Sequence, residues 1–356
     1  MNINIFKPFN KDRSDIMIIR SRSPLRISFA GGGTDIPPYC HEKGGAVISA
    51  SINKYSYATM ETRQDKEIHI ESVDFLKSLH FRNMSEITYD NELDVLKAVI
   101  KHLNTSGRGA NIWMRCDVPP RAGLGASAAA FAAMIGLFNH MRAERSLTNY
   151  DIAELAYKLE REELKIGGGY QDQYATVFGG INFIEFGPGG ARVNPLKMKK
   201  DHILELEKHL VLVYTRDRVV SGDIIETEKK GWKENNTLLE ALDKTKELTL
   251  EIRYALMRGD FLRFGELLNE AWEAKKKHSA LVSDKYIDDI YDLALKNGAL
   301  GGKISGAGAG GFMFFYCEPN KEHKVISALQ AAGIVPVSFT FDFEGLQTWE
   351  PNNKVI

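Results

Sequence analysis

From Met17 onward, apolar and polar positions alternate with the period of a strand. Ile18–Arg20 and SPLRISFA (23–30) lead into a GGGTD turn at Gly31–Asp35. AVISASI and YSYATM (within 46–60) and EIHIES (67–72) add strands rich in β-branched and aromatic side chains. The period then lengthens. Asp94–Leu103 carries Val95, Ala98, Val99 and Leu103 on one helical face. NIWMRCDV (111–118) returns to strand and stops at Pro119-Pro120, and ASAAAFAAMIGLFNHM predicts a small-residue helix after Gly125. A helix from Tyr150 carries LAYKLEREEL and ends at Gly167–Gly169, INFIEF (181–186) is a strand, and GPGG (187–190) predicts a domain boundary. Beyond it come strand HLVLVYT (209–215), long helices over 237–258 and 260–277, and a helix capped by Ser283 that stops at Gly298. A glycine loop (Gly306–Gly311), strand FMFFYC (312–317), helix HKVISALQAA (323–332) and strand VPVSFTF (335–341) close the chain as an α+β sandwich.

Composition narrows the function classes. A chain of 356 residues exceeds one comfortable core, so two packed domains are expected, 17–190 and 191–356. A formal net charge of −1 offers no general attraction to nucleic acid or to an anionic membrane, so any phosphate chemistry must come from local geometry. Cys40, Cys116 and Cys317 lie far apart without CxxC spacing, which argues for a reducing cytoplasm and against a disulfide framework or structural zinc. No apolar run approaches the ~20 residues of a membrane span, and the Ile16–Ile19 stretch is too short for a signal peptide. The nine histidines form no HxxxH cluster, and Trp113, Trp272 and FMFFY are expected in the core.

Candidate chemistry concentrates in three glycine-rich segments. PPRAGLGAS (Pro119–Ser127) joins a strand to a helix. Free amides and the dipole at such a helix start suit an anionic phosphate, and Ser127 adds a hydroxyl for phosphate or Mg²⁺. The competing reading is close packing of small residues. SPLRISFAGGGTD (Ser23–Asp35) delivers Arg26 to a turn carrying Thr34 and Asp35, against a plain glycine hairpin with a solvated carboxylate. KISGAGAGGFMFF (Lys303–Phe315) contains GxGxxG, but an apolar strand rather than a helix follows, which is wrong for a dinucleotide fold. No GxxxxGK[ST] string occurs, so a P-loop NTPase is excluded at the level of motif.

Together the three segments, in this order, resemble the GHMP kinases, the superfamily of galactokinase, homoserine kinase, mevalonate kinase and phosphomevalonate kinase. Within it, PLRISFAGGGTD, GGGYQDQYATVFGGINFIEF (167–186), the WEAKKK run (272–277) and GALGGKISGAGAGGF (298–312) are similar to the D-glycero-D-manno-heptose 7-phosphate kinases; fucose-type kinases share several of them. Ala126 departs from the family pattern where many members carry serine; Ser127 keeps the second serine. The resemblance implies a two-domain GHMP kinase fold, with a ribosomal protein S5 domain 2-like N-terminal domain and a ferredoxin-like C-terminal domain.

The resemblance also implies ATP and Mg²⁺ as cofactors, a small sugar or sugar phosphate as partner, no nucleic acid or membrane, and a homodimer as an open assembly. By the same likeness Asp172 faces the acceptor hydroxyl with Arg26 beside it, and Glu160, twelve residues earlier, joins Ser127 in holding Mg²⁺. Pro119, Arg121, Ala122, Gly123, Leu124, Gly125, Ala126 and Ser127 form the nucleotide loop; Thr34, Asp35, Gly168, Gly169, Gly306 and Gly308 receive the acceptor. A phosphorylated acceptor would need a cationic clamp from among Arg22, Lys165, Arg216 and Lys275–Lys277. The activity expected is phosphorylation of the anomeric C1 hydroxyl of heptose 7-phosphate. The alternatives are a fucose- or galactose-type kinase of free sugars and a non-catalytic sugar or nucleotide sensor on the same fold.

Overall fold

The structure is a computed structural model, and it describes residues 16–351 apart from 105, 143–145, 219–221 and 234. The stretch before Ile16 lies outside the described residues.

Two sheets organise the chain. The first has eight strands: β1 (Ile18–Ala30), β2 (Gly45–Thr62), β3 (Ile68–Ser72), β4 (Lys77–Phe81), β5 (Ala110–Cys116), β6 (Ile181–Gly187), β7 (Gly190–Pro195) and β12 (Gln347–Trp349). Its order is β12-β1-β2-β5-β3-β4, and β2 is long enough to pair with β5 over Ser56–Thr62 and with β6 over Gly45–Ala50. The second sheet, ordered β11-β8-β10-β9, contains β8 (Leu210–Arg216), β9 (Ala299–Ile304), β10 (Gly311–Cys317) and β11 (Val335–Pro336).

Helices α1 (Tyr39–Lys43), α2 (Asp94–Leu103), α3 (Ala126–His140), α4 (Asn149–Tyr157) and α5 (Gln171–Phe178) belong to the first half. Helices α6 (Lys200–His209), α7 (Gly222–Gly231), α8 (Asn236–Arg258), α9 (Phe261–Lys276), α10 (Lys285–Lys296) and α11 (Glu322–Ala331) belong to the second. Among the described residues, no helix is long and apolar enough to cross a membrane.

The expected long elements form, with instructive differences. Ile18–Arg20 and SPLRISFA are one strand, β1, kept continuous by register shifts at Pro24/Leu25 and Ser28/Ala30. LEREEL closes α4 as a π-helical turn, Lys158–Glu163. The cap of α10 is Asp284, whose carboxylate accepts the Ile287 N–H, rather than Ser283. VPVSFTF divides between the sheets: Val335–Pro336 pairs with β8, whereas Phe341 bridges to Ile52 on β2. Trp272 and the whole of β10 are buried as expected, but Trp113 points outward, because β5 alternates and its inward positions are Ala110, Ile112 and Met114.

The two halves share packing. Phe29 on β1 meets Phe264 of α9 and Phe314 of β10 edge-on, at ring-centroid distances of 5.5 and 5.6 Å. Residue 190 lies at the turn of the β6–β7 hairpin, and β12 returns the chain to the first sheet beside β1.

Candidate active site

The loop between β5 and α3 is held by its carbonyls. The Ala122 carbonyl accepts the Phe312 N–H at 2.9 Å, that of Gly123 accepts Arg26 Nη1 at 2.6 Å, and that of Leu124 accepts the Arg26 N–H at 2.9 Å. Strands from both halves therefore fix one short turn. Arg121, Gly123 and Gly125 adopt left-handed backbone with φ of 64°, 85° and 77°. Glycine is required at 123 for a second reason: a β-carbon would collide with the Arg218 guanidinium and lie 2.6 Å from the Ser305 carbonyl oxygen. Gly125 is the N-cap of α3, and no side chain caps that helix. Its first-turn amides and the positive end of its dipole thus open on a cavity of about 770 Å³ lined by Gly125, Ala126 and Ser127.

Helix α5 begins on the other side of that cavity. Asp35 holds its start: one carboxylate oxygen accepts the Gln171 N–H at 2.9 Å and the other accepts the Gly33 N–H at 3.0 Å. Burial raises the Asp35 pKa, the Gln171 amide opposes the rise, and the nearby Asp172 charge adds to it. The first turn of α5 then aims three consecutive side chains at three partners. The Gln171 carbonyl oxygen accepts from Ser28 Oγ at 3.2 Å, and Gln173 Nε2 donates to Glu160 at 2.6 Å. Between them Asp172 takes Arg26 Nη2 at 2.6 Å and Nε at 2.9 Å. Arg26 is 3% exposed and the Asp172 side chain 25%, so this charge-assisted pair is only partly screened by solvent. Glu160 occupies the π-helical turn, 2% exposed, with its second oxygen 3.4 Å from Arg161.

Most of the residues singled out from the sequence therefore meet. Arg26, Asp172, Glu160 and Ser127 all line the cavity, as do Arg121, Ala122, Gly123, Gly125 and Ala126 of the loop. Asp35, Gly168, Gly169 and Gly306 line it as well. Four do not. Thr34 is fully buried, its hydroxyl engaged with the Gly31 carbonyl, the Ala46 carbonyl and the Ala46 N–H, so it is not placed to touch a sugar. Leu124 is a core side chain and Pro119 is exposed outside the cavity. Gly308 packs against Val282, where a β-carbon would lie 2.8 Å from the Val282 carbonyl oxygen.

The clamp candidates fare unevenly. Arg22 donates to Gln347 and stacks on Tyr55, Arg216 pairs with Asp284, and Lys276 pairs with Glu273. Lys275 lines the cavity but is bound to Glu228 at 2.7 Å.

Two cavity residues escape sequence reasoning. Arg218, two residues past β8, packs between Gly123 and Gly306; a β-carbon on Gly306 would lie 2.8 Å from its Nη2. Its one described hydrogen bond is a long one to the Ser305 carbonyl, 3.4 Å, and its buried Nε has no partner among the described residues. Burial, then the like charge of Arg26, lowers its pKa to about 10, which leaves it cationic at neutral pH. Gln171 likewise carries a buried amide nitrogen without a partner. Neither has a sequence signal of its own. Arg218 is a lone arginine in DRVV, and Gln171 gains meaning only from the helix start that Asp35 holds.

The comparisons agree with this geometry. The profile of the GHMP kinases N terminal domain matches residues 93–180, and that of the GHMP kinases C terminal domain matches 252–335. The chain is 38% identical over 336 residues to D-glycero-alpha-D-manno-heptose 7-phosphate kinase of Campylobacter jejuni, covering 93% of this chain and 98% of that protein. It is 27% identical to the L-fucokinase/L-fucose-1-P guanylyltransferase of Bacteroides fragilis, over 83% of this chain and 34% of that longer one. The crystal structure of a D-glycero-D-manno-heptose 1-phosphate kinase from Bacteroides thetaiotaomicron superposes with a TM-score of 0.80 at 32% identity, over 94% of this chain and 100% of the other. A phosphate-ready helix start, a carboxylate–guanidinium pair and a two-domain α+β frame thus coincide with both family profiles, and the chain belongs to the GHMP kinase family of phosphotransferases that act on an alcohol group.

Proposed function

We propose that this protein is a sugar kinase that moves the γ-phosphoryl group of ATP to the anomeric C1 hydroxyl of D-glycero-D-manno-heptose 7-phosphate. The observation that carries the transfer chemistry is the position of Arg26. One guanidinium donates at 2.6 Å both to the Gly123 carbonyl of the loop and to Asp172, and so ties the phosphate-binding turn to the carboxylate. Phosphoryl transfer depends mostly on positioning and charge neutralisation, and one rigid link between the two groups supplies both.

In this reading, the loop amides and the start of α3 bind the phosphates of ATP. Asp172, held by Arg26, orients the acceptor hydroxyl and takes its proton as the O–P bond forms. Arg218, a cation between the two glycine turns with no carboxylate ion-paired to it among the described residues, faces the negative charge that develops on the transferring group. Ser127 and Glu160 form an all-oxygen donor pair that fits Mg²⁺, which when bound would neutralise phosphate charge.

The substrate rests on the likeness to the two heptose enzymes, whose names place the phosphate chemistry differently, so the position transferred needs direct measurement. ADP release should be followed with heptose 7-phosphate, fucose and galactose in parallel, and the product's phosphorus resonances assigned. Turnover of the heptose phosphate with a new C1 phosphate supports the proposal. Turnover of free sugars alone replaces it with the fucose-type reading, and absence of turnover with every acceptor favours a sensor.

A further inference from the structure

Strands β3 and β4 form the outer hairpin of the first sheet, and β4 is its edge. Their register sets His69 directly opposite His80. Ile68 and Ile70, the neighbours of His69, point into the core, so both imidazoles stand on the solvent face with ring centroids 4.1 Å apart. Glu67, two residues before His69, brings one oxygen, Oε2, to 3.4 Å from His69 Nε2 and 3.6 Å from His80 Nε2. Ligand atoms of the three residues all lie within 4.8 Å of one another.

These separations are informative. Both are long: the His69–Glu67 hydrogen bond at 3.4 Å lies beyond the ~2.7–3.2 Å of a good N–H···O bond, and the 3.6 Å approach of His80 is longer still. They are close to the ~3.3 Å edge of a tetrahedron whose metal–ligand bonds are ~2.0–2.1 Å, the geometry of Zn²⁺ with imidazole and carboxylate. Arg63 also approaches Glu67 Oε2, at 2.9 Å, and pairs with Asp65. Asp65 offsets the arginine charge, and the lone pair of the oxygen that now faces His69 would turn to an ion once that imidazole ligates it through Nε2.

We propose that Glu67, His69 and His80 form a binding site for a zinc-type divalent ion, with water as the fourth ligand, separate from the kinase cavity. An ion there would cross-link the edge strand to β3. Three residue pairs further along the hairpin, roughly 10 Å away, Ser72 and Lys77 line the cavity together with Phe75. The ion would therefore hold one wall of the active site.

The test is calorimetric titration of the full chain with ZnCl2, without nucleotide and with excess MgCl2 present. One Zn²⁺ per chain is expected, weakened at least ~10-fold in His69→Ala and in His80→Ala and unchanged in His323→Ala. All three histidines are exposed or half-exposed, and circular dichroism melting will verify that the variants fold. Zn²⁺ should also slow amide exchange across residues 68–81 in the parent chain but not in His80→Ala. No stoichiometric binding by the parent, or equal binding by the histidine variants, overturns the proposal.

Discussion

Two buried cations border the same cavity, and their surroundings differ in kind. Lys275 has a closed environment: Glu228 at 2.7 Å, His278 Nδ1 at 3.3 Å, and Thr245 holding the other face of that imidazole at 2.9 Å. Burial alone would raise Glu228, but Lys275 and His278 outweigh it and bring the carboxyl down to about 2. Burial, then the Lys275 charge, pushes His278 below the ordinary histidine value. That cluster satisfies itself and wedges under Gly33, whose missing side chain leaves room for the imidazole. Arg218 has no such closure. Its neighbours are a carbonyl, another arginine, two glycine turns and, at longer range, the Asp172 charge, and its Nε has no partner among the described residues. A buried charge without a close counter-charge is costly, so in the proposed reading Lys275 serves the architecture and an anion completes Arg218.

Four experiments probe that contrast. The largest effect should come from Asp172→Asn, which removes the carboxylate paired with Arg26. Turnover should fall by ~10²–10⁴-fold while calorimetric nucleotide affinity stays within a factor of a few; unchanged turnover would take Asp172 out of the reaction. Arg218→Gln should lower kcat by ~10²–10³-fold, with little loss of melting temperature, because its one described partner, the Ser305 carbonyl, is held only by a long hydrogen bond. A lower Tm with normal kcat would place Arg218 in the same class as Lys275.

Glu228→Gln should show the opposite signature. It strands Lys275, so urea denaturation should register a loss of about 3 kcal/mol. Adding Lys275→Met to it should restore much of the loss, and a purely catalytic defect would show that the cluster is not the closed unit described. The smallest effect concerns Lys303, whose ammonium donates to the Ser28 carbonyl at 3.1 Å. Burial, then the charges of Lys275 and Arg26, lowers its pKa to about 7. An unfolded lysine titrates near ~10.4. Between those values the unfolded chain holds more protons, so native stability should climb with pH from 7 toward 10. Lys303→Met should flatten that climb in unfolding curves at pH 7, 8 and 9; parallel curves for the two proteins would remove Lys303 as its source.

Long periodic elements were legible from residue patterns, because β1, β2, β5 and α3 bury a whole face and their inward positions must be apolar. Short elements were not. Strands β4, β7 and β12 have three to six residues, and α5 has eight, with a polar first turn. Such segments form because neighbours supply pairing edges and a cap, and neither leaves a period to read.

The same division runs through the site. Sequence alone determined that a glycine-rich turn enters a small-residue helix, that Arg26 precedes GGGTD on a strand, and that Asp172 follows Glu160 by twelve residues; resemblance then joined them. Only the tertiary structure decided that the Thr34 hydroxyl ties backbone, that Asp35 secures the start of α5, that Lys275 is ion-paired, and that Arg218 has no ion pair among the described residues. The reason is physical. A side chain's type fixes what it is able to donate, accept or charge. Its role depends on which partners lie within about 3 Å, and those partners, Asp172 for Arg26 and Glu228 for Lys275, stand 146 and 47 positions away along the chain.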